Sequence, residues 1–172
     1  MKFRLRFPTA DIAYWAARYD YPGEEEVEND LAPAVKRQGY LTRVQFLRIC
    51  EWKTPRSRKR CAENDEEFVR EVTHLALSAK HNSVKIGILR ALRGVEWPTA
   101  SVILHFCDSL PSPILDFRAL WSLGIDKAPN YTYRFWAEYT AYVRDLSASS
   151  GHSMRTIDKA LWQYSKENQK NL

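Results

Sequence analysis

The sequence predicts an all-α protein, and three observations carry that prediction. Apolar residues recur at the three- and four-residue spacing of a helix over most of the chain. Sustained two-residue alternation, the mark of a half-buried strand, is scarce. Ser, Thr, Asn or Asp stands ahead of most periodic stretches, where a side-chain oxygen accepts from the unpaired amides of a first helical turn. With 172 residues, 45% of them hydrophobic and six of them tryptophan, the chain is long and apolar enough to fold as one domain over 1–172.

Taken in order, Thr9 caps a first helix reaching Ala17, with Ile12 and Trp15 on one side, and "DYPG" turns the chain. The acidic block Glu24, Glu25, Glu26, Glu28 and Asp30 starts a second helix, since carboxylates complement the positive end of the helix dipole. It runs to about Gln38 unless Pro33 breaks it. Thr42 and Gln45 have capping-box spacing and predict a helix from Arg43 to Trp52, with Leu41, Val44, Phe46, Leu47 and Ile49 as its apolar stripe. Asn64 or Asp65 caps "EEFVREVTHLALSA", whose Phe68, Val72, Leu75 and Leu77 face inward. Ser83 opens "VKIGILRAL", which Gly94 ends. Pro98 suits the first turn of "PTASVILHFC", because its missing amide hydrogen would be unpaired there anyway, so "RGVEW" is a turn between two helices. "FRALWSLG" is a short helix stopped by Gly124, and "YTYRFWAEYTAYVRDL" is a long aromatic-rich one. Ser153 caps the last, "MRTIDKALWQYSKE".

No stretch approaches the roughly 20 apolar residues of a membrane span, and "MKFRLRFPTADIAYW" lacks the apolar core of a secretory signal, so the expectation is a cytoplasmic protein with no membrane partner. Cys50, Cys61 and Cys107 are widely spaced, and the four histidines make no H-x-x-x-H pair; free thiols and no metal or other cofactor are expected. His105, on an apolar helix, reads as a satisfied core histidine, and Lys85 and Lys127 as surface residues. The net charge of +5 is concentrated between Arg43 and Arg60. There Arg56, Arg58, Lys59 and Arg60 suit phosphate contacts, because cations replace the counterions condensed on a nucleic acid. A solvated basic loop is the plainer alternative.

Two stretches bear on function: "LRGVEWPTASVILHF" and, after six intervening residues, "PILDFRAL", whose Asp116 lies ten residues past Phe106. Alone, Asp116 is an N-cap for "FRALW", and Gly94–Val95 an interhelical turn. Together they form helix, glycine turn, helix, then a loop ending in an Asp that opens a short helix. Leu92, Gly94, Val95, Thr99 and Ala100, followed by Leu115 and Asp116, resemble the helix-hairpin-helix DNA glycosylase superfamily, whose hairpin reads roughly Leu-Pro-Gly-Val-Gly-x-x-Thr-Ala ahead of an apolar residue and a catalytic Asp.

The resemblance implies double-stranded DNA as partner. Turn amides at a helix N-terminus form an anion site, and glycine lets backbone approach a phosphate. Arg93, Gly94, Val95, Glu96, Trp97 and Thr99 would grip the backbone, with Arg118 beside Asp116. The target nucleotide is flipped out of the stack, and Asp116 stabilises the oxocarbenium-like sugar as the glycosidic bond breaks. Pro98 stands where some members carry a lysine nucleophile, which implies a monofunctional hydrolase using water. Trp97 is similar to a turn tryptophan of some alkyl-base glycosylases and is the candidate base-pocket residue. Glu96 departs from the second hairpin glycine, Arg93 from the proline, and Arg118 from a common histidine. The alternative is a non-catalytic helix-hairpin-helix DNA-binding or adaptor protein; a small all-α protein whose basic loop meets an acidic protein partner is a third reading.

Overall fold

The structure, a computed structural model, describes residues 3–170 and is all-helical, with no strand among the described residues. Its contacts resolve the chain into two compact units: a central one over Tyr21–Ser112, and a terminal one joining the chain up to Asp20 to the chain from Pro113 onward.

In the terminal unit, an extended segment donates from Arg4 N–H to Leu123 O and from Arg6 N–H to Ser122 O, both at 2.9 Å. Phe3 and Phe7 share one side of that segment and are buried. A 3-10 turn at Thr9–Asp11 leads into α1 (Ile12–Ala17); Pro8 stands at the N-cap of the turn and Asp11 at that of α1, so Thr9 is no cap, and no side-chain cap forms at either. Ile12 is fully buried and Trp15 half-buried. The unit continues through a short helix (Phe117–Ser122), a long one (Tyr133–Ser150) capped by Thr132, and a last one (Met154–Asn168) capped by Ser153. Trp136, Tyr139 and Val143 of the long helix and Ile157, Ala160 and Leu161 of the last are among its buried side chains.

In the central unit the acidic block runs through a π-helical turn, Glu26–Leu31, into α2 (Ala32–Gln38). Pro33 does not break it. It stands in the first turn of α2, just after the wider π turn, where its missing donor is tolerated. Gly39, at φ 79°, ends the helix. The capping box forms at α3 (Arg43–Lys53): Gln45 N–H donates to Thr42 Oγ1 at 3.2 Å and Thr42 N–H to Gln45 Oε1 at 2.9 Å. The expected stripe is corrected at Val44, which is exposed.

The basic segment is structured: a 3-10 turn (Pro55–Ser57) precedes α4 (Arg58–Cys61). Asp65 caps α5 (Glu66–Ser78) by accepting Phe68 N–H at 2.8 Å. Its inner face is Val69, Val72, Thr73 and Ala76: of the expected Phe68, Val72, Leu75 and Leu77, Val72 is buried and Leu77 half-buried, whereas Phe68 and Leu75 are exposed. Thr73 is admitted to the core because its hydroxyl donates to Val69 O at 2.7 Å and accepts Leu41 N–H at 2.9 Å. Then come α6 (Asn82–Leu89), starting one residue before Ser83, and α7 (Trp97–Cys107), buried at every residue except Pro98. The three remaining helices, already placed in the terminal unit, are α8 (Phe117–Ser122), α9 (Tyr133–Ser150) and α10 (Met154–Asn168).

Lys85 is not a surface lysine. It is buried, and its Nζ donates to both carboxylate oxygens of Asp108 at 2.7 and 2.6 Å, because an ammonium enters a helical core only with a matched anion. His105 is a core residue whose Nδ1 lies 2.8 Å from Ser112 O.

Candidate nucleic-acid interface

The turn between α6 and α7 closes through Val95 N–H to Leu92 O at 3.1 Å, with Gly94 at φ 80°. That conformation suits glycine, and so does the space: a Cβ here would lie 2.6 Å from Cys61 Sγ and 2.9 Å from Cys61 N. The turn is also held by Asn64, which the sequence marks only as a cap candidate. The buried Asn64 side chain accepts Arg93 N–H at 2.9 Å and donates to Arg93 O at 2.9 Å and to Cys61 O at 2.8 Å. One amide thus ties the hairpin to the end of the basic segment.

Of the hairpin residues, Arg93 and Glu96 are exposed and Gly94 is half-buried. Val95, Trp97 and Thr99 are buried. Trp97 lies under the Arg90 guanidinium, 4.5 Å from its centroid, and Thr99 Oγ1 meets Thr54 Oγ1 at 3.2 Å. Both side chains therefore belong to the packing under the turn and present no open face to a nucleic acid. Arg93 and Glu96 pair with other residues: Arg93 binds Glu63 Oε2 at 2.6 Å, while Glu96 Oε2 lies 3.6 Å from Arg90. Exposed pairs of this kind contribute at most about 1 kcal/mol, so a polyanion can displace them.

Arg56, Arg58, Lys59 and Arg60 are all exposed on the 3-10 turn and α4. Arg58 reaches Glu51 at 3.3 Å, whereas Arg56 and Lys59 make no ion pair among the described residues. Beneath them, α4 brings Cys61 to Cys50 of α3. Cys50 donates a hydrogen bond to the Cys61 sulfur, holding the Cys61 thiol down at about 6 despite burial, with Ser57 and the Arg60 charge adding to the effect. The same bond, together with burial, pushes the Cys50 thiol up. All three cysteines are unpaired as disulfides. Cys50 and Cys61 are eleven residues apart and belong to no local Cys motif, so only the turn at Pro55–Ser57, which folds α4 back on α3, reveals their proximity.

Asp116 belongs to the terminal unit, where it is the N-cap of α8: Oδ1 accepts Arg118 N–H at 2.9 Å, and the residue is half-buried. The segment before it is clamped by two residues the sequence does not single out as functional. Ile114 N–H lies 3.3 Å from each carboxylate oxygen of buried Asp158, and Ile114 O accepts from the Tyr139 hydroxyl at 2.8 Å. Burial first, and the Asp116 charge second, raise the half-buried Tyr131 phenol, so Tyr131 is a neutral donor near that carboxylate at neutral pH. Burial, with the Asp158, Asp116 and Tyr131 charges, raises Tyr139 in the same direction. The Arg118 guanidinium lies 5.3 Å from the Phe117 ring centre and 5.4 Å from that of Trp162.

No cluster of three or more His, Cys, Asp or Glu residues able to hold a metal occurs among the described residues, and no described helix is long and apolar enough to cross a membrane. No protein-family model, curated protein or solved structure matches the chain.

Proposed function

We propose that the protein is a monofunctional DNA glycosylase-like enzyme, which binds duplex DNA, flips a base and hydrolyses its N-glycosidic bond with Asp116. The observation that carries this reading is Asp116 itself. A carboxylate fixed by a backbone amide at a helix start, half-open to solvent and on a segment clamped from both sides, is pre-oriented for a cation developing outside it. The resemblance of the hairpin and of the Asp segment to the helix-hairpin-helix glycosylases supplies the substrate class.

DNA would be held by the peptide groups of the Gly94 turn with Arg93, and by Arg56, Arg58, Lys59 and Arg60, none of which reads sequence. Arg118 adds a cation two residues from Asp116. Water is the nucleophile, since Pro98 stands where a lysine would be required. Trp97, being buried, is not retained as the base-binding ring. Tyr131, half-buried and within the field of the Asp116 charge, takes its place as the candidate aromatic donor.

The second reading is a non-catalytic DNA-binding or adaptor protein, and Glu96 favours it: its side chain is 68% exposed at the N-terminus of α7, where a carboxylate opposes phosphate. The test is incubation with duplexes carrying uracil, alkylated or oxidised bases, followed by alkaline cleavage. Strand breaks that appear with wild type and vanish in Asp116→Asn support the enzyme. Salt-sensitive duplex binding with every lesion left intact selects the non-catalytic reading, and absence of duplex binding at low salt overturns both.

A further inference from the structure

The C-terminal helix α10 carries a feature that neither the hairpin nor the basic segment uses. Arg155, Lys159, Trp162 and Lys166 follow one another at four-, three- and four-residue steps, so they share one face of the helix. On that face the cations lie against aromatic rings. The Lys166 ammonium stands 5.1 Å from the Trp162 ring centre, and the Arg118 guanidinium, reaching from α8, stands 5.4 Å from the same ring. Tyr19, which packs edge-on to Trp162 at 5.2 Å, carries the Arg155 guanidinium at 5.2 Å and the Lys159 ammonium at 5.7 Å. The acid beside them, Glu167, binds Arg18 through both oxygens at 2.9 and 3.0 Å.

We propose that this face is a second nucleic-acid surface, gripping the sugar-phosphate backbone of duplex DNA through Arg118, Arg155, Lys159 and Lys166. The rings act as struts for the cations and not as stacking platforms for bases, because cations already occupy their neighbourhood. A guanidinium beside a ring can offer an N–H edge that meets two phosphate oxygens at once; Arg155 Nη2 donates to the Tyr19 hydroxyl at 3.3 Å and Lys166 Nζ to Asp20 O at 3.5 Å, long bonds that a phosphate would replace. Holding long side chains on aromatic surface also lowers the entropy lost when a phosphate arrives. The three cations of α10, along roughly three turns of helix, span on the order of 16 Å at 1.5 Å per residue, a length that faces several successive phosphates, and Arg118 adds a fourth from α8. Recognition of this kind is blind to sequence and strongly dependent on salt.

This surface rests on the reading of the chain as DNA-binding, yet it is separable from the hairpin. The experiment is a salt titration of the affinity for an undamaged 20-base-pair duplex by fluorescence anisotropy, with wild type, Arg155→Gln/Lys159→Gln/Lys166→Gln, and the charge-preserving Arg155→Lys/Lys159→Arg/Lys166→Arg. The neutral triple variant is expected to bind at least about tenfold more weakly near 0.1 M salt, with a log–log salt slope shallower by about 2 to 3, while the charge-preserving one stays near wild type. Should the triple variant lose its helical circular dichroism, the three single Gln variants replace it, each reducing the slope by about 1. Wild-type binding with a slope unchanged in the variants overturns the surface and leaves the hairpin reading intact. No binding by wild type overturns both. Binding to phosphatidylserine vesicles as tight as to duplex, and lost in the same variants, overturns the assignment to nucleic acid.

Discussion

Gly94 packs directly on Cys61: a side chain at 94 would place its Cβ 2.6 Å from the Cys61 sulfur and 2.9 Å from its amide nitrogen. The glycine of the hairpin is thus required by the protein's own packing before any phosphate is considered. Gly94→Ala is expected to be costly on two grounds. An L-residue at φ 80° is strained by about 1–2 kcal/mol, and the overlap with sulfur and backbone adds about 1–3 kcal/mol. Urea denaturation should show a loss of roughly 2–5 kcal/mol with an unchanged m-value. A loss under 1 kcal/mol would mean that the turn and α4 do not meet in this way.

The Cys50–Cys61 pair makes stability depend on pH. The Cys61 thiol lies at about 6 in the folded chain against an ordinary value of 9.0, so between those values the unfolded chain binds more protons. Stability therefore rises with pH from about 6 to 9 on this account. Above 9 the sign reverses, because Cys50 is held protonated in the fold while the unfolded chain ionises. Thiolate absorbance near 240 nm should grow with a midpoint around pH 6 in wild type and disappear from that range in Cys61→Ser. Retention of the same midpoint in Cys61→Ser would assign the titration elsewhere.

Lys85 and Asp108 form a buried ion pair whose halves need each other. Lys85→Met leaves the Asp108 carboxylate without its cation and should destabilise the fold by about 3–5 kcal/mol. The double variant Lys85→Met/Asp108→Asn removes the stranded charge and should lose clearly less than Lys85→Met alone. Equal losses in the single and double variants, read by thermal and urea unfolding, would show that the pair is not coupled.

Helix identity was legible where a local signal sufficed: the capping box at Thr42 and Gln45, the Asp65, Asp116 and Ser153 caps, and Pro98 in a first turn all act within four residues of themselves. Which face a helix buries was less legible. On α5 the polar Thr73 takes a core position by bonding Val69 and Leu41, which shifts the apparent stripe onto Phe68 and Leu75. The burial of Lys85 is hidden for a related reason, since its anion lies beyond α6 in the chain. At the candidate site, the cap at Asp116 could be read directly, but its supports could not. Asp158 reaches Ile114 from α10 and Tyr139 from α9, and no short-range pattern announces a carboxylate that will accept a backbone amide 44 residues away.

Asp116 performs two separable tasks, and substitution distinguishes them. As an N-cap it accepts Arg118 N–H, which asparagine does about as well and alanine cannot. Asp116→Ala should therefore lose about 1 kcal/mol of stability, while Asp116→Asn stays near wild type in thermal unfolding. As a charge beside a developing sugar cation it has no neutral substitute, so base excision should fall by about 100-fold or more in both variants. Duplex affinity should be unchanged or slightly higher, because a negative charge has been removed from the surface facing phosphate. Excision retained in Asp116→Asn would remove the carboxylate from the chemistry and leave it a cap. A stability loss in Asp116→Asn as large as in Asp116→Ala would instead show that the ionised carboxylate, and not the hydrogen bond alone, holds the start of α8.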